Sequence, residues 1–212
     1  MVQNSSGRPR GRPRAYDPDD ALDRATAAFW RAGFSAVSLD TLSDATGMNR
    51  PSLYGAFGDK RALYLAALAR YAAAGRAAMD AALGGPDGAR PLRDGLKRVY
   101  DAALKMYYPA GEPARGCFLI GTAAVESVND ADVRAALRDG LRSFDEAFEV
   151  RLRRALAEGE LPAGADPAGL ARLASALLHT LALRSRAGDP RAGLAATARA
   201  GIELICGPAP KA

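Results

Sequence analysis

The sequence predicts an all-α protein of about nine helices with a helix-turn-helix near its N-terminus. Three observations predict it. Alanine and leucine recur near a 3.6-residue period from residue 17 almost to the C-terminus. No run of alternating β-branched residues and no Asn-Gly hairpin signal interrupts them. Asp, Ser or Asn stands before most of the periodic runs, and Gly or Pro follows them, as helix starts and stops require.

The elements follow in order. Asp17 is placed to cap the first helix and Pro18 suits its first position. Leu22, Ala25, Phe29 and Ala32 form its apolar face, and Gly33 stops it. Ser38 starts a short second helix with Leu39, Leu42 and Ala45 inward, ended by Gly47. Asn49 starts a third, with Pro51 in its first turn and Leu53 and Phe57 inward. Gly58 breaks the pattern, and Asp59 starts a long helix from Lys60 to about Leu83. Glycines and prolines make 84–91 a loop. A fifth helix spans Leu92–Tyr108, and Pro109–Pro113 ends it. Phe118 to about Ser127 reads as a short helix so apolar that it should be buried on all sides. A long helix runs from Asp130 to about Glu158, carrying Phe144 and Phe148. Asp166-Pro167 starts a helix to about Arg186, and Asp189-Pro190 starts the last, ending near Cys206.

Composition and charge bound the function. Of 212 residues, 49% are hydrophobic and 25% charged, which fits a folded globular chain. Two cysteines give neither a disulfide framework nor a zinc cluster, so a cytoplasmic setting is expected. No apolar run reaches the roughly 18–20 residues that span a bilayer, so no membrane partner is expected. One histidine, no grouped metal ligands, no phosphate-cradling glycine loop and no nucleophile elbow leave no basis for an enzyme, a metal site or a cofactor. The net charge of +5 is local. Arg8, Arg10, Arg12 and Arg14 place +4 on residues 1–16, a Pro/Gly-rich flexible arm, while the remainder holds 25 basic and 24 acidic residues.

The helix pair at 38–57 carries the strongest functional signal. Two short capped helices joined through a glycine suit a DNA-binding helix-turn-helix, and a plain helical hairpin is the alternative. Leu53 and Phe57 anchor the second helix while Arg50, Ser52, Tyr54 and Gly55 lie on its other side. Arginine bonds guanine bidentately, and the two hydroxyls suit phosphates or base edges.

The stretch FWRAGFSAVSLDTLSDATGMNRPSLYGAFGDKRALYLAAL, residues 29–68, resembles the TetR family of transcriptional regulators. The resemblance lies in the aromatic-xx-Gly-Phe end of the first helix, the S-L-x-x-L-x-x-A-x-G second helix, the P-S-L-Y-x-x-F third helix and the D-K-xx-L entry to the fourth. It implies an arm at 1–16, a DNA-binding domain at 17–61 and a ligand-binding and dimerisation domain at 62–207. It implies a homodimeric repressor of a palindromic double-stranded DNA operator, released by a small-molecule effector. By position, Arg50, Ser52 and Tyr54 would lie on the recognition helix, and Thr41 and Lys60 would meet phosphates. Pro51-Ser52 and Gly55 depart from the Gly-Thr and the polar residue of many members, which bears on base specificity.

Beside this, Arg10-Gly11-Arg12-Pro13 is similar to the core of an AT-hook, so Arg10, Arg12 and Arg14 are expected in a narrow minor groove. The family's cavity would be lined by Tyr71, Tyr100, Tyr107, Phe118, Phe144 and Phe148 on the middle helices. Leu173, Leu177, Leu181, Ile202 and Ile205 would form the dimer face, with His179 as a packed interface histidine. Cys117 reads as a buried structural residue. A switch by oxidation of that thiol is one alternative, and an effector-independent architectural DNA-binding protein is the other.

Overall fold

A computed structural model describes residues 17–85 and 90–208. Among these residues there are helices and no strand: α1 (Pro18–Ala32), α2 (Leu39–Thr46), α3 (Arg50–Phe57), α4 (Lys60–Leu83), α5 (Leu92–Tyr107), a wide π-helical turn (Leu119–Ala123) running into α6 (Ala124–Glu126), α7 (Ala131–Ala157), α8 (Pro167–Arg186) and α9 (Arg191–Cys206). None of the described helices is long and apolar enough to cross a membrane.

Local chemistry fixes the starts. The side chains of Asp17, Ser38, Asn49, Asp59, Asp130 and Asp166 each accept a first-turn backbone N–H. The last helix differs. It begins at Arg191 behind Pro190, which has no side-chain acceptor, as α5 begins behind Pro91, while Asp189 pairs with Arg184 at 3.1 Å.

Helices α1–α3 form a small head. Ala21, Ala25, Ala28 and Phe29 are the buried stripe of α1, and Leu42 and Leu53 fill the angle between α2 and α3. Ala32, expected on that stripe, is exposed, since Phe34 beyond the helix end packs there instead. Helix α4 leaves the head without a break and enters a bundle with α5, α7, α8 and α9, in which α7 packs along α8 and α5 along α9. After Cys117, Phe118, Leu119, Thr122 and Ala123 are buried and Ile120 half-buried, but Val125 and Val128 beyond them are 71% and 69% exposed. Burial on all sides therefore holds only for the π-helical half. The chain then turns outward to reach α7.

Candidate nucleic-acid interface and internal cavity

In the head, Ser38 Oγ accepts the N–H of Thr41 at 3.0 Å and pairs with its hydroxyl at 2.9 Å. Gly47 sits at φ 69°, the left-handed backbone that ends α2 and redirects the chain. Thr46 Oγ1 donates to Leu42 O at 2.7 Å and accepts Met48 N–H at 3.3 Å, which stiffens the same corner. Asn49 Oδ1 then accepts Ser52 N–H at 2.9 Å and starts α3.

On α3, Leu53 is buried while Tyr54 is 48% exposed and Arg50 is exposed. The Arg50 guanidinium is held by Asp40, which accepts from Nη2 at 2.6 Å and from Nε at 3.1 Å. Ser52 is half-buried and Thr41 exposed. Lys60 is half-buried at the start of α4, its Nζ 4.3 Å from the centroid of the Phe34 ring, and burial lowers its pKa. These five residues thus lie on or beside one two-helix corner. Arg10, Arg12 and Arg14 lie outside the described residues.

A cavity of about 360 Å³ lies among α4, α5, α7 and α8. Three of the residues expected to line it do so: Tyr71, Tyr107 and Phe144. Three do not. Tyr100 is buried and donates its hydroxyl to Ala174 O at 3.1 Å. Phe148 packs beside Tyr100 with ring centroids 6.3 Å apart. Phe118 stands edge-on to Tyr64 and Tyr71 at 5.8 and 5.6 Å and has no exposed surface. Each fills space between helices rather than facing the void.

Two of the cavity residues that sequence reasoning missed stand out by their chemistry. Trp30 of α1 is one. Its signal was present: Phe29 and Trp30 are adjacent, so about 100° of helix separates them and one core cannot take both. His179 is the other, and it corrects the reading of an interface histidine. Its ring lies 6.2 Å from that of Phe144, facing the cavity, and its buried Nε2 has no hydrogen-bond partner. Burial lowers its pKa. Cys117 also lines the cavity. Its sulfur accepts the Tyr71 hydroxyl at 3.3 Å, and burial pushes the thiol up despite that bond and two backbone N–H groups. Glu126 lies away from the void and accepts Ser35 Oγ at 2.9 Å.

Head and bundle are joined at several points. Trp30 Nε1 donates to Gly116 O at 3.1 Å, and the Arg115 guanidinium lies 4.0 Å from the Trp30 ring centroid. Gly116 has φ 64°, and a Cβ there would stand 2.5 Å from Ala182 O, so only glycine fits. Arg186 Nη1 reaches Trp30 O and Arg115 O at 3.4 and 3.3 Å. Thr122 donates to Phe118 O at 2.9 Å, so the Tyr64 hydroxyl donates to Thr122 at 2.7 Å. Burial pushes that phenol up to about 12. Near the start of α4, Arg61 forks onto both carboxylate oxygens of Asp130 at 2.5 and 2.8 Å and reaches Asp132 at 2.6 Å.

The expected dimer face is partly corrected. Leu173 is 48% exposed and Leu177 half-buried, but Leu181, Ile202 and Ile205 are buried inside the chain. Leu181 lies about 80° round the helix from Leu173, which turns it inward. The outward apolar residues of α8 and α9 are Leu173, Leu183 and Leu204, the last 78% exposed.

Comparison with known proteins fits this geometry. Residues 21–67 match the family described as bacterial regulatory proteins, tetR family, and residues 93–200 match the tetracyclin repressor-like C-terminal domain. The chain is 30% identical over 179 residues, 84% of each chain, to the HTH-type transcriptional repressor ComR of Escherichia coli. It is 35% identical over 135 residues, 64% of each chain, to the repressor BdcR of the same organism. Among solved structures it is similar to a cysteine mutant of the TetR-family regulator CifR complexed with 26-bp double-strand operator DNA. That similarity has a TM-score of 0.76 and 33% identity, and covers 91% of this chain and 98% of that one.

Proposed function

The chain belongs to the TetR family of bacterial DNA-binding transcriptional regulators, and on that premise we propose that it is a ligand-responsive repressor, holding a palindromic operator as a homodimer until a small molecule fills the cavity. The observation that carries this reading is Trp30, a side chain of the DNA-binding head that forms part of the cavity wall. A molecule in the cavity touches the head directly, and also through α4, which runs unbroken from one to the other. The ligand must bind the released arrangement better than the DNA-bound one, or it shifts nothing.

On DNA, Arg50, Ser52 and Tyr54 would meet the major groove and Thr41 and Lys60 the phosphates, with Arg10, Arg12 and Arg14 in the minor groove. The operator complex of the 33%-identical relative supports this mode. Tyr71, Tyr107 and Phe144 would contact the effector. Leu173, Leu183 and Leu204 would meet the partner subunit, with Leu177 at their edge. An effector-independent architectural role has less support, because it leaves an apolar cavity of this size without a use.

Selection of bound sequences from a random DNA pool tests the reading. A palindrome with half-sites about 34–36 Å apart is expected. Enrichment without two-fold symmetry would overturn the dimeric operator, and an operator complex that no cavity-filling compound dissociates would overturn the effector.

A further inference from the structure

We propose that the cavity is built for an uncharged, largely aromatic molecule with one hydroxyl, bound between the Tyr107 hydroxyl and Nε2 of His179. The proposal deepens the effector reading and rests on it for what binding does to the operator, though not for binding itself.

The walls exclude charge. Among the described residues no Asp, Glu, Lys or Arg lines the cavity; carbon surface from residues such as Met79, Val99 and Leu178 dominates it. An ion entering would lose its water without gaining a counter-charge. The walls favour rings. Trp30 and Tyr71 stand edge to face at 5.0 Å, and Phe144 faces the same void. The volume of about 360 Å³ lies at the small end of ligand sites, which run to roughly 1,000 Å³.

Two polar side chains, Tyr107 and His179, belong to this wall, and one of them has a buried atom without a partner. Tyr107 is 2% exposed and lines the cavity. Burial drives its pKa well up, so it keeps its proton and is a donor. His179 Nε2 is buried with no partner. Its lowered pKa leaves the ring neutral, with one nitrogen bare and one protonated. Tyr71, by contrast, already donates to Cys117. Buried polar groups in folded proteins are nearly always satisfied, so the vacancy at His179 Nε2 marks what an occupant supplies, and the Tyr107 donor on the same wall adds a second contact. A hydroxyl accepts from Tyr107 and serves either tautomer of His179, donating to a bare Nε2 or accepting from a protonated one. A ketone serves only one tautomer, and a carboxylate brings the excluded charge.

The test uses 4-tert-butylphenol, 4-tert-butylbenzoate and tert-butylbenzene. Trp30 is the single tryptophan of the chain and lies in the wall, so its fluorescence reports occupancy. The phenol is expected to bind at least tenfold more tightly than either analogue. Tyr107→Phe and His179→Leu should each remove most of that advantage and leave the hydrocarbon unchanged. Equal or tighter binding of the benzoate, no phenol binding up to its solubility, or an intact phenol advantage in both folded variants would each overturn the proposal. The ranking in the unaltered protein decides even where a variant fails to fold. A gel shift on the selected operator separates the two readings. Phenol binding without release upholds the ligand class and counts against the effector role. Release by a charged compound that changes Trp30 fluorescence, with no binding of the phenol, does the reverse.

Discussion

The indole N–H of Trp30 donates to the carbonyl oxygen of Gly116 at 3.1 Å, joining the DNA-binding head to the bundle across 86 residues of sequence. Trp30→Phe keeps the ring and deletes the donor, leaving a buried carbonyl bare. The variant should unfold about 1–3 kcal/mol more easily in urea, followed by circular dichroism. Operator affinity should also respond less to a cavity ligand. Unchanged stability and unchanged response would remove Trp30 from the coupling.

Arg50→Ala and Tyr54→Ala should each weaken specific operator binding by about 1–3 kcal/mol, the range for a good base or charged contact. Both side chains are exposed on α3 while Leu53 anchors it, and the Asp40 pair that Arg50→Ala removes is exposed and contributes little, so the head should stay folded. Titration of the selected operator with each variant checks this, and equal affinity of both with the parent would refute the assignment.

Leu204 is 78% exposed on α9, an apolar side chain with no partner surface of its own chain. Leu204→Glu should convert a dimer to monomer in sedimentation at micromolar concentration, because it would bury two like charges across a two-fold axis. Ile202→Val, by contrast, should lower stability by about 0.5–1.5 kcal/mol without changing the assembly, since Ile202 is buried within the chain. A dimeric Leu204→Glu protein would move the interface elsewhere.

The Arg61 guanidinium holds the Asp130 carboxyl well below the usual carboxylate range, with the N–H groups of Val133 and Asp132 assisting. A carboxyl depressed on folding stabilises the fold above its unfolded pKa of about 3.9, and that stability is lost as pH falls through the lower folded value. Asp130→Asn keeps an oxygen to cap α7 but loses the charge. Its Tm should be lower than the parent's at neutral pH and should fall less as pH drops below about 4. Parallel curves for the two proteins would show that the pair contributes nothing.

Cys117 is 5% exposed, and burial raises its thiol pKa. Little thiolate forms at neutral pH, so Cys117→Ser should keep operator binding and operator release. The serine hydroxyl can accept from Tyr71 in place of sulfur, which limits the loss of stability to about 1–2 kcal/mol. Prompt release by peroxide in the parent, absent in the serine variant, would establish a thiol switch instead.

Helix starts were legible because they are local. Ser38, Asn49 and Asp59 accept the N–H groups that their places in the sequence imply. The cavity was legible only as a neighbourhood. Tyr71, Tyr107 and Phe144 were found beside Tyr100, Phe118 and Phe148, because helical spacing ranks apolar positions but does not say which of two neighbouring helices fills the gap. The outward face was misread for a related reason. Ile202 and Ile205 were chosen for hydrophobicity, whereas Leu204 lies between them on the opposite side of α9. Trp30 and His179 were missed because each belongs to an element whose expected task, DNA binding or dimerisation, lay elsewhere.

The attachments of the head differ in stiffness. The Arg61 fork makes three charged bonds of 2.5–2.8 Å to Asp130 and Asp132, whereas one Arg186 nitrogen is divided between two carbonyls at 3.3 and 3.4 Å. Short charged bonds resist stretching far better than long shared ones. Arg70 of α4 adds charged bonds of 2.6 and 2.7 Å to Asp19 and Asp23 of the head. Exposed ion pairs from α4 and the longer carbonyl bonds from Arg186 thus share the attachment. On the proposed reading, a molecule pressing on Trp30 would shift the head against these ties.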